Sequence, residues 1–242
     1  MDVTNQRIVI IGGSSGIGLA TARTLAGSGA QVIIAGRARD KVAHALTTIE
    51  GSVTGEVVDA ASREDTQQFF RRVGPFDHLV LTLAGNEGAG EFRTLDLDML
   101  QRAFAAKFWP QVIAAQASLD VLRKDGSLTI VSAVTGHTAY AGSAGLAAVN
   151  GALEALIPTL ALELQPLRVN AVAPGLIATP FWGDLPDDAR ETVFAQTAAV
   201  TPVRRVGRPE DVAQVIALLI DNSFMTSTII DCDGGARIRS SW

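Results

Sequence analysis

The sequence predicts an α/β fold, a doubly wound parallel sheet of about seven strands in a single domain. Two observations carry this. Short, continuously apolar, β-branched runs recur along the chain, as strands buried on both faces require, and segments of roughly helical period separate them. The chain of 242 residues suffices for one large core, and no linker or internal repeat divides it. The predicted strands are Arg7–Ile11, Gln31–Ala35, Glu56–Val58, His78–Leu83, Leu128–Ser132, Arg168–Ala173 and Thr228–Cys232. The helices between them are Gly16–Ala26, Asp40–Thr48, Glu64–Val73, Asp98–Leu122, Leu146–Leu164 and Glu210–Ile220. Ser62 precedes Glu64 and Asp65, and Pro209 precedes Glu210 and Asp211, which suits helix starts. The least regular stretch, at about 175–202, holds a helix around Asp187–Ala198 and reads as a lid over a site.

Composition excludes several function classes. The net charge is −5 and no Lys/Arg cluster exists, so nucleic acid is not expected as a partner. Apolar runs such as Ile8-Val9-Ile10-Ile11 fall short of the roughly 18 residues of a spanning helix, so no membrane is expected either. The chain start lacks a basic region followed by an apolar one, and the expected location is the cytosol. Cys232 is the only cysteine; it excludes an internal disulfide or a cysteine-rich metal site, and no metal is expected. It reads as a small buried hydrophobe.

Gly12-Gly13-Ser14-Ser15-Gly16-Ile17-Gly18 directly follows the first strand and opens the first helix. Glycines there let the backbone turn tightly and approach a pyrophosphate, which then meets the free N–H groups of the helix N-terminus. That placement points to a dinucleotide on a Rossmann-type sheet. The second strand runs into Ala35-Gly36-Arg37, with no Asp or Glu to accept from a ribose 2′-hydroxyl. Arg37 can instead pair with a 2′-phosphate, helped by Ser14 or Ser15, so the expected cofactor is NADP(H). The alternative is that Arg37 is a solvated loop residue.

Taken together, these features resemble the short-chain dehydrogenase/reductase (SDR) family across essentially the whole chain. The glycine turn is similar to the family's TGxxxGIG, with Gly12 in place of Thr. Asp59 and Ala60 stand where the family contacts adenine, and Ala84-Gly85 resembles the end of NNAG, with Thr82 and Leu83 replacing the asparagines. Arg168–Gly175 matches the sixth strand and its Pro174-Gly175, followed by Ile177, and Thr179 falls where a Thr bonds the nicotinamide carboxamide. Pro202–Ala213 and Asp231–Gly235 match the segments around the last helix and strand. The resemblance implies cofactor contacts from Gly12, Ser14, Ser15, Gly16, Ile17, Gly18, Arg37, Asp59, Ala60, Ala84, Gly85, Pro174, Gly175, Ile177 and Thr179. It also implies a homo-oligomer, a homotetramer or dimer, with Leu153, Leu156 and Leu160 compatible with an interface.

Family members use Asn, Ser, Tyr and Lys to reduce a carbonyl. By register those positions hold Lys107, Ala133, Leu146 and Asn150. Leu146 has no proton to give and Ala133 cannot donate to an oxyanion. Lys107 is expected to face the Asn150 position, where a desolvated ammonium can stabilise an alkoxide; the alternative is a lysine lining the cleft with its head in solvent. His137 and Tyr140 are the other candidate acids, with Ser143 weaker, against surface and packing roles. Ser132 should point away from the cleft, since neighbouring strand residues face opposite ways. Glu87 and Glu91 read as solvated charges, and Phe181 and Trp182 as an apolar cover favouring an apolar substrate. The expected function is an NADPH-dependent oxidoreductase that reduces an activated carbonyl, such as a dicarbonyl or quinone, with a non-standard proton donor. The alternatives are a catalytically inactive NADP(H)-binding sensor or partner subunit, and a lyase-type enzyme using Lys107 and His137.

Overall fold

The computed structural model describes residues 3–85 and 87–238. Strands β1 (Arg7–Ile11), β2 (Gln31–Gly36), β3 (Val53–Val57), β4 (Phe76–Leu81), β5 (Leu122–Val131), β6 (Arg168–Pro174) and β7 (Ile229–Cys232) form one parallel sheet in the order β3-β2-β1-β4-β5-β6-β7. The order reverses between β1 and β4, which opens a crevice beyond their C-terminal ends. Successive residues of a strand point to opposite faces, and β1 shows the consequence. Ile8 and Ile10 join a core with Leu25, Ile34 and Ile216, under α1 (Gly16–Gly27), α2 (Arg39–Leu46) and α8 (Pro209–Asp221). Val9 and Ile11 join the opposite core with Phe69, Phe70, Leu153 and Ile157, under α3 (Arg63–Val73), α5 (Trp109–Ser118) and α6 (Ala144–Glu163).

Helix starts follow the expected chemistry. Ser62 Oγ accepts from Asp65 N at 3.2 Å, and Pro209 opens α8 with Asp211 accepting from Arg208 N at 2.7 Å. Several boundaries differ from expectation; β4, expected at His78–Leu83, runs from Phe76 to Leu81. β3 begins at Val53, not Glu56; as an edge strand it is half exposed and lacks a continuous apolar run. β5 begins at Leu122, which pairs with Phe76 before a register shift, and the charged, exposed Arg123-Lys124-Asp125 conceals that start.

The expected helix Asp98–Leu122 is three pieces: α4 (Leu97–Ala103), a wider π-helical turn at Phe104–Phe108, and α5. Pro110 is the cause. It has no N–H to give the Ala106 carbonyl, and Trp109 N–H reaches back five residues to Phe104 O. Lys107 lies in that widened turn.

α6 is long and apolar enough, by length and composition, to cross a membrane. Leu153 and Ile157 nevertheless sit wholly inside the core, and Asn150 and Glu154 are buried in polar bonds, so α6 belongs to the sheet's helical layer.

Away from the crevice, β4 buries His78 between Ser127 Oγ (2.8 Å) and Gln6 Oε1 (3.0 Å). Burial first, and then the Arg168 cation, push its pKa down to about 4. The unfolded chain protonates His78 near 6.5, whereas the folded chain holds it neutral to about 4. Stability is therefore full above pH 6.5 and declines as pH falls towards 4, by on the order of 3 kcal/mol. Urea unfolding at pH 7, 5 and 4 checks this, and His78→Gln should flatten that part of the profile.

Candidate functional site

The glycine turn caps β1 and faces the crevice. Gly12 (φ +90°) and Gly16 (φ +50°) take backbone conformations that favour glycine. Ser15 stands at the N-cap of α1 with no side-chain capping bond, so the first-turn N–H groups remain available to an anion. Ser14 Oγ lies beside Gly36 at the end of β2, where the exposed Arg37 emerges. Thr179 lies directly against Gly16, 3.3 Å from where a Cβ would stand. Asp59 is exposed beyond the end of β3, one carboxylate oxygen accepting from Ala61 N at 3.1 Å, and Ala60 is buried beside it. These donors, glycines and the cation fit a phosphorylated dinucleotide along the sheet edge.

Replacing the NNAG asparagines leaves the strand ends tied by other groups. Thr82 Oγ1 donates to Ile11 O at 3.1 Å, and Gln111 Nε2 donates to Leu83 O at 3.2 Å and Val131 O at 3.4 Å. A Cβ on Gly12 would stand 2.5 Å from Thr82 Oγ1. The hydroxyl therefore comes from the residue after β4, and the absence of a side chain on Gly12, just after β1, makes room for it. Gly12→Ala meets both this clash and the positive φ, and should cost roughly 2–4 kcal/mol. An unchanged denaturation midpoint would contradict that packing.

Lys107 reaches across to α6. Its Nζ donates to Asn150 Oδ1 at 2.7 Å and to Ser132 O at 3.0 Å. Asn150 Nδ2 donates in turn to Leu146 O (2.9 Å) and Thr135 Oγ1 (3.1 Å), so its amide is fixed with the oxygen towards the ammonium. Burial pushes the Lys107 pKa down to about 8, with the Glu154 carboxylate pulling the other way. An ammonium carries three donors and two are engaged here, which leaves one for a bound molecule. Gly85 packs against the base of Lys107, and Gly88 of the same loop lies against the backbone of Gly145 and Leu146. Ala133 is extended after β5, and Leu146 lies in the first turn of α6.

The protein-family model described as Enoyl-(Acyl carrier protein) reductase matches residues 12–237. The short-chain dehydrogenase/reductase ATR9 of Stachybotrys chlorohalonatus is 32% identical over 97% of this chain and 98% of its own. The chain is a short-chain dehydrogenase/reductase. Human dehydrogenase/reductase SDR family member 4 is 30% identical, over 98% of this SDR and 89% of its own length. A solved small-chain dehydrogenase in complex with NADPH superposes with a TM-score of 0.85 at 33% identity, covering 97% of this SDR and 99% of that chain.

The remaining expected site residues fall into two groups. Gly175 closes β6 onto β7: its N–H donates to Cys232 O at 3.1 Å, and a side chain there would strike Asp233. Ile177 bridges to Gly207, and Trp182 Nε1 donates to Ile177 O at 2.9 Å. Trp182 is packed edge-on with Phe181 and Phe194, so it ties the 3-10 turn at Pro180–Asp184 and α7 (Asp187–Val200) to the segment at Ile177. Phe181 stays 42% exposed.

His137 is held on both sides, with Nδ1 2.8 Å from Glu154 Oε2 and Nε2 2.8 Å from Asp231 Oδ1, and its pKa is raised, chiefly by the Glu154 bond. Both ring nitrogens thus lie against carboxylates. Tyr140 serves the start of α6 through its carbonyl, which accepts from Ser143 N and Oγ. Glu87 pairs with Arg102 at 3.0 Å, and Glu91 is exposed. Burial raises the Cys232 pKa, as for an unreactive thiol. Ser132 Oγ donates to Glu154 Oε1 of α6 at 2.7 Å.

Glu154 and Gln111 went unread in the sequence. Glu154 carries a signal: an acid one helical turn after Asn150, in an otherwise apolar helix. Gln111 is likewise one turn after Lys107.

Proposed function

We infer that this SDR is an NADPH-dependent reductase of activated carbonyl compounds, with Lys107 in place of the family's proton donor. The observation that carries this is the Lys107–Asn150 bond at 2.7 Å. By the register of the resemblance the family has Asn at position 107 and Lys at 150; here the two are exchanged, and they are hydrogen-bonded to each other. The ammonium is returned to the same cleft from the opposite helix. Ala133 and Leu146 supply no acid, so the atypical site has Lys107 as the proton source nearest the cleft. The NADPH-bound neighbour, Arg37 and Ser14 support the choice of cofactor. When bound, the reduced nicotinamide supplies the hydride. Lys107, desolvated and near neutrality, then gives a proton to the oxygen that becomes negative.

A single weak acid suits acceptors whose alkoxide needs little help, hence dicarbonyls and quinones before simple ketones. Loss of NADPH absorbance should be followed over dicarbonyls, quinones, aldehydes and simple ketones. Turnover confined to the activated acceptors supports the reading; tight NADPH binding with no turnover on any of them would favour a cofactor-binding sensor. Exposed Trp109 (50%) and Leu162 (69%) support a homo-oligomer, which we take as a homotetramer in the cytosol. Leu153 has no part in that surface, because it is wholly buried against the sheet, and Leu160 packs on the same core.

A further inference from the structure

We propose that Glu154 is a positioning residue of the reductive site, holding the strand-end segment 132–137 and supplying the counter-charge that keeps Lys107 usable as an acid. The proposal rests on the reading of Lys107 above. Glu154 lies in α6, and the elements packed around it contribute every partner that matters. From the end of β5, Ser132 Oγ donates to Oε1 at 2.7 Å. From the following loop, His137 Nδ1 meets Oε2 at 2.8 Å. Gly136 passes so close that a Cβ there would lie 2.7 Å from the carboxylate, so the segment is moulded onto it.

That segment in turn builds the ammonium's cradle. Ser132 supplies the carbonyl that Lys107 donates to, and Thr135 supplies the hydroxyl that accepts from Asn150 Nδ2 and so orients the amide. The carboxylate is buried; the basic groups that act on it are His137, in direct contact, and Lys107, whose ammonium its charge favours. A buried carboxylate without a cation would be costly, and so would a buried ammonium without an anion.

The array continues outward. His137 Nε2 lies 2.8 Å from Asp231 Oδ1 on β7. Arg237 closes the far end on Asp231 at 3.0 Å and Asp233 at 2.9 Å. The two carboxylates raise the His137 pKa, Glu154 first, and His137 shares Glu154 with Lys107. Removing either neighbour of Lys107's field should therefore move its titration, in opposite directions.

The test uses protein without cofactor and does not depend on turnover. Lysines are labelled with ¹³C at Cε, and the Lys107 signal is identified by its absence in Lys107→Arg. The parent signal is expected to titrate near pH 8. In Glu154→Gln, with folding checked by thermal melting, the midpoint should fall by about one unit, because no carboxylate favours the ammonium. A carboxylate that only fills space gives the reverse, since a loosened core admits water and the midpoint rises towards the ordinary lysine range. A rise or an unchanged midpoint overturns the proposal. If Glu154→Gln does not fold, His137→Gln decides it. That change leaves the carboxylate to Lys107, and the midpoint should rise; no change overturns the proposal. A parent midpoint in the ordinary lysine range would instead sink the Lys107 reading, while the difference between parent and variants still decides the role of Glu154.

Discussion

Lys107→Met should lower kcat for a dicarbonyl or quinone by roughly 10²- to 10⁴-fold, the range expected on losing a general acid. The side chains have similar length, so the helix wall keeps its shape while the donor disappears. The dissociation constant of NADPH should stay within about threefold, because the loss is confined to the transition state. A large rise in that constant with kcat kept would make Lys107 a cofactor anchor instead. The exchange of positions makes a second arm possible. Asn150→Lys alone crowds two ammonium groups within hydrogen-bond range of one another and should destabilise the fold. Adding Lys107→Asn restores the family's order, relieves the repulsion and returns an ammonium to the cleft. The two changes should be strongly non-additive, as expected for residues in contact. Simple additivity would mean that the 2.7 Å bond between them carries no function.

Arg37→Glu should weaken NADPH binding by roughly 10²- to 10³-fold and NADH binding by less than about tenfold. Arg37 is exposed where β2 ends, Ser14 Oγ lies beside the preceding Gly36, and a 2′-phosphate bound there would take charge-assisted bonds from both. The variant replaces that attraction with repulsion. With NADH the new carboxylate meets a hydroxyl it can accept from, as acidic residues do in NAD-selective sites. Equal affinity of the parent for the two cofactors, measured by fluorescence titration, would remove Arg37 from the account.

Much of the sheet was legible in the sequence, because β1, β2 and β6 are largely buried on both faces and are mostly apolar, although β6 also buries Arg168 and Asn170. The strand starts at Val53 and Leu122 were not, since an edge strand and a bulged, charged strand end carry no such run. The helix break at Phe104–Phe108 was readable in principle from Pro110, yet the apolar period on either side runs straight through it. At the site, Lys107 and Asn150 were placed by their positions and face one another as expected. His137 looked like a free acid because its partners, Glu154 and Asp231, come from 17 and 94 residues further along the chain. Spacing along a sequence carries no information about such meetings until the topology brings α6 and β7 together.

The most direct test of the account is the pH dependence of hydride transfer in the parent enzyme, measured in single turnovers with saturating NADPH and a dicarbonyl acceptor. Lys107 must be protonated to act as the acid, and its pKa is about 8. The rate should be flat below that value and fall about tenfold per unit above it. In Lys107→Met the residual rate should show no such break. A parent rate that is level from pH 6 to 10, or that rises through pH 8, would contradict the assignment of the proton to Lys107.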